Sequence, residues 1–189
     1  MVIKLLITDF DGTLVDTFEA NYNAYKNSFE RMGLELSEAQ YRDCFGLRFE
    51  KFMDKMNIAD NQTRIFIKEH KAMVYPDFFP FLKVNQPLLD FIVSFKAMGG
   101  KTAIASTARR ENLMNVLHYI HAVDAFDLIL AGEDVETGKP DPEIYHNVLQ
   151  YFAINANQAI IFEDSIIGME AASNAGINHI QINKKFYGN

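Results

Sequence analysis

Five short runs of apolar residues recur along the chain, and each has the length and composition of a β-strand. Most of them are nearly continuous rather than alternating, which is typical of parallel strands covered on both faces. The runs are Val2–Ile7, Thr102–Ala105, Leu128–Ala131, Ile160–Phe162 and His179–Ile182. We therefore expect these segments to form one parallel sheet.

Amphipathic helical patterns separate the later strand runs. The first of them has Pro87 in its first turn and Gly99-Gly100 at its end, which are common start and stop signals of a helix. The four helical segments are Gln86–Met98, Asn112–Ile120, Ile144–Phe152 and Gly168–Ala175. Alternation of strands and helices predicts right-handed crossovers, so we expect the α/β class with a doubly wound, Rossmann-like parallel sheet.

The interval between the first strand and Gln86 interrupts this alternation, because it contains no convincing strand. Its pattern predicts four helices, at Phe18–Met32, Ser37–Phe45, Glu50–Met56 and Asn61–Val74. Ser37 followed by Gln40 resembles a capping box at the start of the second helix. Pro76 and Pro80 are expected to stop the last helix. The interval therefore predicts a small helical domain inserted after the first strand.

Composition narrows the functional classes. The 189 residues are enough for one domain with a modest insertion, and 25 acidic against 18 basic side chains give a net charge of −7. Such a chain, without basic clusters, is not expected to bind nucleic acid. The single cysteine, Cys44, cannot form an intramolecular disulfide. With no long apolar run and with Asp9 too early for a signal peptide, we expect a cytoplasmic protein without membrane contact.

Polar residues collect where the predicted strands end. Ligands of doubly wound sheets bind outside the carboxyl ends of the strands, so these residues are candidates for one site. The clusters are Asp9-Phe10-Asp11-Gly12-Thr13, Ser106-Thr107, Gly138-Lys139-Pro140-Asp141-Pro142 and Glu163-Asp164-Ser165. Carboxylates, hydroxyls and one lysine are therefore expected to meet at one edge of the sheet.

The pair Asp9 and Asp11 can perform two different steps of a reaction. Asp9, at the strand end, can ligate a metal ion and attack as a nucleophile. Asp11, one step into the turn, can exchange a proton with a leaving or attacking oxygen, and Gly12 permits the tight turn. Asp-x-Asp-Gly alone also occurs in ordinary turns, so the pattern becomes informative through its place after a buried strand.

The other clusters add ligands for a cation and an anion. Asp164 can complete an oxygen-rich Mg²⁺ site, and Glu163 can orient metal-bound water from outside the ligand shell. Ser106 can donate its hydroxyl and neighbouring amides to a phosphoryl oxygen, and Lys139 can offset negative charge. The alternatives are structural, namely an acidic helix cap at 163–165, a loop serine and a solvated lysine.

Taken together, these motifs resemble those of the haloacid-dehalogenase superfamily, specifically its Mg²⁺-dependent phosphatase and phosphomutase branch. The matching segments are Asp9–Thr17, Ile104–Ser106, Gly138–Pro142 and Phe162–Ser165. The helical interval is similar to the α-helical cap of the subfamily that contains β-phosphoglucomutase and phosphoglycolate phosphatase. The resemblance implies a catalytic core at residues 1–16 and 83–189 and a mobile helical cap at 17–82 that closes over the cleft.

The resemblance also implies roles for individual residues. Asp9 would be the nucleophile that forms an aspartyl-phosphate, and Asp11 the general acid and base. The residues that would bind the phosphoryl group are Ser106, Thr107 and Lys139. The residues that would hold Mg²⁺ are Asp9, Asp11 through its carbonyl, Asp164 and, in the surroundings of the metal, Glu163.

Two positions in the helical segment depart from the mutase pattern, and we regard both as candidate specificity residues. Mutase relatives carry a histidine just after the first motif, where this chain has Asn21, and Arg48 stands one place earlier than their cap arginine. We therefore predict a phosphatase that hydrolyses a small phosphorylated metabolite, as a monomer or weak dimer. The alternative is a sugar phosphomutase of the β-phosphoglucomutase type.

A third hypothesis is a non-enzymatic phospho-receiver module, which also combines aspartate, serine or threonine, lysine and Mg²⁺ on a parallel sheet. A receiver's phosphorylated aspartate typically follows an interior strand of its chain, and a receiver has no large helical insertion after the first strand. The order of elements therefore favours the enzyme.

Overall fold

A computed structural model describes residues 2–183 and residue 187 of the protein. Its β-strands are β1 (Leu5–Thr8), β2 (Val15–Asp16), β3 (Lys83–Val84), β4 (Lys101–Ala105), β5 (Leu128–Leu130), β6 (Ala159–Glu163) and β7 (Asn178–Gln181). Its α-helices are α1 (Phe18–Arg31), α2 (Glu38–Arg42), α3 (Phe49–Lys55), α4 (Asn61–Val74), α5 (Gln86–Ala97), α6 (Arg110–Tyr119), α7 (Glu143–Phe152) and α8 (Ile166–Asn174). Short 3₁₀ helices occupy Tyr75–Phe81, Val123–Ala125, Gly132–Asp134 and Ala156–Gln158. No helix in these residues is long and apolar enough to span a membrane.

Five strands form one parallel sheet in the order β5-β4-β1-β6-β7. β1 lies at the centre, where Thr8 stands opposite Ile104 of β4 and opposite Phe162 of β6. Helices α5 to α8 alternate with the strands along the chain. The predicted α/β class with a doubly wound parallel sheet is therefore confirmed.

The central strands are buried and the edge strand β7 is exposed. All four residues of β1 are buried, whereas all four residues of β7 are exposed. β7 stands at the edge of the sheet and pairs with β6, so it is not among the strands that are covered on both faces. The first strand also begins later than predicted, at Leu5, and Val2 is exposed.

Two helices cover one face of the sheet with tightly packed apolar side chains. The shared cluster contains Leu5 and Ile7 from β1, Val148 from α7 and Ala172 from α8. The small residues of α8 let its backbone lie close to the sheet, and burial of each such side chain stabilises the fold through the hydrophobic effect. Helix α5 also contacts β4. Phe91 of α5 packs edge-on against Phe162 of β6 at a ring-centroid distance of 6.1 Å.

The described chain divides into two compact units, Met1–Asp16 with Lys83–Asn189 and Thr17–Leu82. The first unit contains a feature that the sequence did not predict, since β2 and β3 pair as a short antiparallel ribbon. Our expectation of no strand before Gln86 is therefore wrong. Strands of two residues carry no hydrophobic period, so the pattern could not indicate them.

The second unit is helical and has an apolar core of its own, built around Phe29, Tyr41, Phe52 and Ile67. α4 has the predicted bounds, but α2 is shorter than predicted and ends at Arg42. The predicted capping box is present, because the Ser37 backbone N–H donates to Gln40 Oε1 at 2.9 Å and the Gln40 N–H donates to Ser37 Oγ at 3.3 Å.

The proline-containing segment at the end of this unit is helical rather than extended. α4 ends at Val74, as expected, but the chain continues as a 3₁₀ helix over Tyr75–Phe81. Pro76 lies in the first turn of this helix, where a missing N–H removes no hydrogen bond. The prolines therefore end the α-helix without ending helical backbone.

Candidate active site

Asp9 is held at the carboxyl end of β1 by hydrogen bonds of the sheet. Its backbone N–H donates to the carbonyl of Phe162 at 2.9 Å, and Thr8 Oγ1 donates to the carbonyl of Asp9 at 2.7 Å. The side chain is buried. A carboxylate in this position is fixed by the central strand, which is the rigidity that a reacting group requires.

Lys139 links Asp9 to Glu163. Its Nζ donates to Asp9 Oδ1 and to Glu163 Oε2, each at 2.7 Å. Only 3 % of the Lys139 side chain is exposed, so the alternative of a solvated lysine is excluded. The ammonium group therefore bridges two buried carboxylates at the end of the central strands.

The loop that carries Lys139 is held by hydrogen bonds between its backbone and the side chains of Glu143 and Asn174. The carboxylate of Glu143 accepts from the N–H groups of Glu136 at 3.0 Å and Thr137 at 2.8 Å. Asn174 Nδ2 donates to the carbonyl of Pro140 at 3.2 Å, and the Lys139–Pro140 peptide bond is cis. Lys139 therefore extends from a fixed loop toward Asp9.

Burial and charge shift the pKa values of this network in different directions. Burial and the neighbouring Glu163 raise the pKa of Asp9 well above its usual value, although Lys139 opposes the shift. Burial alone would lower the pKa of Lys139, but the charges of Asp9 and Glu163 outweigh it and hold that pKa above its usual value. Lys139 therefore stays an ammonium ion, and further positive charge near Asp9 would favour the carboxylate form of its side chain.

Asp164 lies beside this network, and its surroundings also disfavour the charged form of its side chain. Thr13 Oγ1 donates to Asp164 Oδ1 at 3.1 Å. Burial and the Glu163 carboxylate raise the pKa of Asp164 to about 6. Carboxylate oxygens of Asp9, Glu163 and Asp164 lie within 4.8 Å of one another. Such a cluster of carboxylate oxygens fits a divalent cation that prefers oxygen ligands.

Glu163 is less suited to contact a cation than Asp9 and Asp164. Its Oε1 accepts from the N–H groups of Asp164 at 3.2 Å and Ser165 at 3.1 Å and from Ser165 Oγ at 2.9 Å. Its Oε2 accepts from Lys139 and, at 3.1 Å, from the Tyr145 hydroxyl. These donors use both oxygens, which fits a place of Glu163 outside the ligands of a cation, and its role in orienting metal-bound water remains a prediction.

Gly168 of α8 provides the space that the Glu163 carboxylate occupies. A Cβ atom at Gly168 would lie 2.0 Å from Glu163 Cδ and 2.1 Å from Glu163 Oε2. Glu163 is buried, so its carboxylate has little room to move away. The hydroxyl of Ser165 also caps this helix by accepting from the Gly168 N–H at 3.0 Å.

We predict that Gly168→Ala disrupts the site by displacing Glu163. The added methyl group must displace the Glu163 carboxylate, so we expect a loss of stability of about 2 kcal/mol and at least a tenfold loss of turnover. Thermal unfolding and steady-state kinetics measure both. Ser173→Ala on the exposed side of the same helix is the control. A Gly168→Ala protein with the stability and turnover of the parent would show that Glu163 can shift without consequence.

The turn after β1 places Asp11 and Asp164 around a glycine. Gly12 has φ +92°, and a Cβ atom there would lie 2.3 Å from Asp164 Oδ2. The Gly12 N–H donates to the carbonyl of Val15 at 2.8 Å. The predicted tight turn is confirmed, and glycine is required both by the backbone conformation and by the approach of Asp164.

Ser106 follows β4 at the same edge of the sheet. It is buried, and its backbone N–H donates to the carbonyl of Leu130 at 3.0 Å. Its Oγ accepts from the Ala108 N–H at 3.0 Å, which leaves the hydroxyl proton to donate elsewhere. Thr107 is half-buried, and Gly132 packs against its carbonyl oxygen. Both residues follow β4 at this edge of the sheet, and their phosphate-binding role remains a prediction.

Asn21 and Arg48 belong to the helical unit. Asn21 lies half-buried in the first turn of α1, and Arg48 precedes α3 with its side chain exposed. Their role in substrate choice remains a prediction. Sequence reasoning missed Tyr145 and Gly168, since an aromatic residue on a helix and a small residue in another helix are usual packing residues.

A doubly wound sheet with clustered acidic side chains and a buried lysine at the carboxyl ends of its strands defines an α/β enzyme with a candidate cation site. The family that matches this sequence is Haloacid dehalogenase-like hydrolase, over residues 6–182. The chain belongs to this family. The resemblance noted in the sequence is therefore confirmed, and the receiver hypothesis is discarded.

Known relatives agree with this assignment. A phosphorylated carbohydrates phosphatase of Thermotoga maritima is 29 % identical over 184 residues, which cover 94 % of this chain and 84 % of that protein. The crystal structure of CbbY from Rhodobacter sphaeroides in complex with phosphate has a TM-score of 0.87 at 24 % identity and covers 98 % of this chain and 88 % of the other. β-Phosphoglucomutase from Clostridium difficile has a TM-score of 0.80 at 21 % identity over 98 % and 87 % of the two chains. The two structures establish a shared fold.

Proposed function

We propose that the chain is a Mg²⁺-dependent phosphatase that hydrolyses a small phosphorylated metabolite through an aspartyl-phosphate on Asp9. The observation that carries the proposal is the buried Asp9 carboxylate, 2.7 Å from the Lys139 ammonium group and clustered with Asp164. Sugar phosphates are the first substrates to test, because the relative from Thermotoga maritima is named as a phosphatase of phosphorylated carbohydrates.

In the first half of the reaction, a carboxylate oxygen of Asp9 attacks the phosphorus atom of the substrate. The bond between phosphorus and the ester oxygen breaks, and its electron pair stays on that oxygen. Asp11 donates a proton to the leaving oxygen, so the alcohol departs neutral. Lys139 and the Ser106 hydroxyl stabilise the negative charge on the transferred group.

In the second half, water attacks the phosphorus atom of the aspartyl-phosphate. Asp11, now a carboxylate, accepts the proton of the water, and the acyl–phosphate bond breaks with its electron pair returning to Asp9. The products are inorganic phosphate and the original Asp9 and Asp11. Each group therefore ends in the state in which it began.

Mg²⁺ would be held by the carboxylates of Asp9 and Asp164 and by the carbonyl of Asp11. When bound, it supplies positive charge that offsets these carboxylates and the phosphoryl oxygens. Lys139 has a complementary role, since one of its hydrogen bonds holds Asp9 Oδ1 and the other, to Glu163 Oε2, fixes the ammonium group. The raised pKa values of Asp9 and Asp164 support this assignment, because positive charge nearby would favour the carboxylate form of both residues.

The helical unit at residues 17–82 is proposed to be the cap that selects the substrate, with Asn21 and Arg48 as its candidate specificity residues. The cytoplasmic location and the monomeric or weakly dimeric state predicted from the sequence remain predictions. A mutase would need a second phosphate site and would have to suppress attack by water. The shifted Arg48 and the absence of a histidine at position 21 support hydrolysis instead.

We predict net release of phosphate, with little isomerisation. The protein is incubated with β-glucose 1-phosphate and its bisphosphate primer in Mg²⁺, and glucose 6-phosphate and inorganic phosphate are followed in parallel. A panel of sugar phosphates and other small phosphates ranked by kcat/KM then identifies the substrate class. Faster formation of glucose 6-phosphate than of phosphate would refute the hydrolase and support the mutase.

A further inference from the structure

Tyr145 is a buried tyrosine whose hydroxyl group reaches the centre of the site. It lies on α7 with no exposed surface, and its hydroxyl is 3.1 Å from Glu163 Oε2. The same oxygen accepts the hydrogen bond of Lys139, whose Nζ lies 5.2 Å from the centroid of the Tyr145 ring. Tyr145 therefore contacts both Glu163 and Lys139, and Lys139 in turn donates to Asp9.

The Tyr145 hydroxyl acts here as a donor. Glu163 Oε2 also accepts from the Lys139 ammonium group, and Oε1 accepts from the N–H groups of Asp164 and Ser165, so Glu163 acts as an acceptor at both oxygens. Burial raises the pKa of Tyr145, so the phenol keeps the proton that it donates. A carboxylate that is 1 % exposed depends on its hydrogen-bond donors for stabilisation. At Oε2 the described residues provide two such donors, and Tyr145 is one of them.

The ammonium group of Lys139 stands between two competing carboxylates at equal distances of 2.7 Å. A donor on Glu163 Oε2 withdraws negative charge from this oxygen and weakens its attraction for Lys139. Loss of that donor would strengthen the pull of Glu163 and draw the ammonium group away from Asp9. The balance between the two carboxylates therefore depends on the hydroxyl group.

We propose that Tyr145 is a positioning residue, whose hydroxyl group keeps Lys139 on Asp9 by sharing Glu163 Oε2 with it. It does not touch the substrate and acts through Glu163 and Lys139. The inference rests on the proposed function, in which Asp9 receives the phosphoryl group. Tyr145 lies on α7, outside the motifs at the strand ends, and would be a further residue on which the reaction depends.

The test compares Tyr145→Phe with Tyr151→Phe, a control on the same helix whose side chain is 64 % exposed. Tyr145→Phe keeps the packed ring and removes only the hydroxyl group. We expect kcat to fall about tenfold, which corresponds to about 1.4 kcal/mol in the barrier. KM should change less than twofold, because the charge that Lys139 offsets develops during phosphoryl transfer. Tyr151→Phe should retain both parent values.

A spectroscopic readout follows Lys139 without using turnover. In protein labelled with ¹⁵N-lysine, the buried ammonium group should give its own NMR signal, assigned by its loss in Lys139→Met. We expect this signal to shift in Tyr145→Phe and to stay unchanged in Tyr151→Phe. In a Glu163→Gln background, adding Tyr145→Phe should lower kcat less than twofold, because the group through which it acts is already altered.

The outcomes separate the two proposals. If the parent is active, Asp9→Asn is inactive and Tyr145→Phe matches the parent in kcat and in the Lys139 signal, the role of Tyr145 is refuted and the phosphatase stands. Equal losses of kcat from Tyr145→Phe in the parent and Glu163→Gln backgrounds would also refute it. If the parent hydrolyses no phosphate ester, the proposed function fails, and an unshifted Lys139 signal would then refute the positioning as well.

Discussion

Asp9→Asn is expected to lower the turnover of phosphate esters by several orders of magnitude. The amide is close to the carboxylate in shape, so the hydrogen bonds of the neighbouring backbone are retained. It is a poor nucleophile, however, and it removes one of the negative charges that would hold a divalent cation. The loss should appear in kcat and in kcat/KM for every substrate that the parent protein hydrolyses.

The control and the chemical readout make this experiment specific. Asp124→Asn changes an exposed aspartate of the same unit and should leave turnover unaltered. Hydroxylamine added during turnover should convert a phosphorylated Asp9 of the parent into a hydroxamate, which peptide mass spectrometry locates. Strong residual turnover of purified Asp9→Asn, or a hydroxamate on a different residue, would contradict covalent catalysis at Asp9.

Removal of divalent metal is expected to abolish activity, and Mg²⁺ should restore it. Without the cation, Asp9, Glu163 and Asp164 have carboxylate oxygens within 4.8 Å of one another, and they would repel the incoming phosphate group. Turnover measured after treatment with EDTA, and again after addition of excess Mg²⁺, tests this. Full activity in excess chelator would contradict the proposed metal dependence.

Asp164 provides a second test of the same site. Asp164→Asn removes a charged ligand, so we expect it to raise the Mg²⁺ concentration at half-maximal activity at least tenfold. In the parent protein the pKa of Asp164 is about 6 without metal. Protons therefore compete with Mg²⁺ below this pH, and the required Mg²⁺ concentration should rise as the pH falls through 6. Glu133→Gln, an exposed change outside the carboxylate cluster, should not alter that concentration.

Long periodic segments and the chemistry at strand ends were predictable from the sequence. α4 has the predicted bounds because its apolar positions follow one helical period between clear end signals. Asp9, Lys139 and Asp164 were found because parallel strands bring their carboxyl ends to one edge of the sheet. Each residue type alone also had a structural explanation, so the information lay in their combination at the ends of successive strands.

The remaining features depend on partners that are distant in sequence. The role that we propose for Tyr145 depends on Glu163, eighteen positions later, and that of Gly168 on the space that the same carboxylate needs. Neither position differs in type from an ordinary core residue. The exposure of β7 could not be predicted either, because it is set by the place of this strand at the edge of the sheet, which depends on the order of all five strands.

The short ribbon of β2 and β3 explains how an insertion of this size can be accommodated. Asp16 and Lys83 are paired residues of the ribbon, so the chain leaves and re-enters the sheet-containing unit at neighbouring points. A two-residue turn would be long enough to join them. Because the ends already meet, lengthening or replacing the segment between them costs little additional loop-closure entropy. Helical segments can therefore be exchanged at this point during evolution or engineering while Asp9 and Lys139 keep their positions.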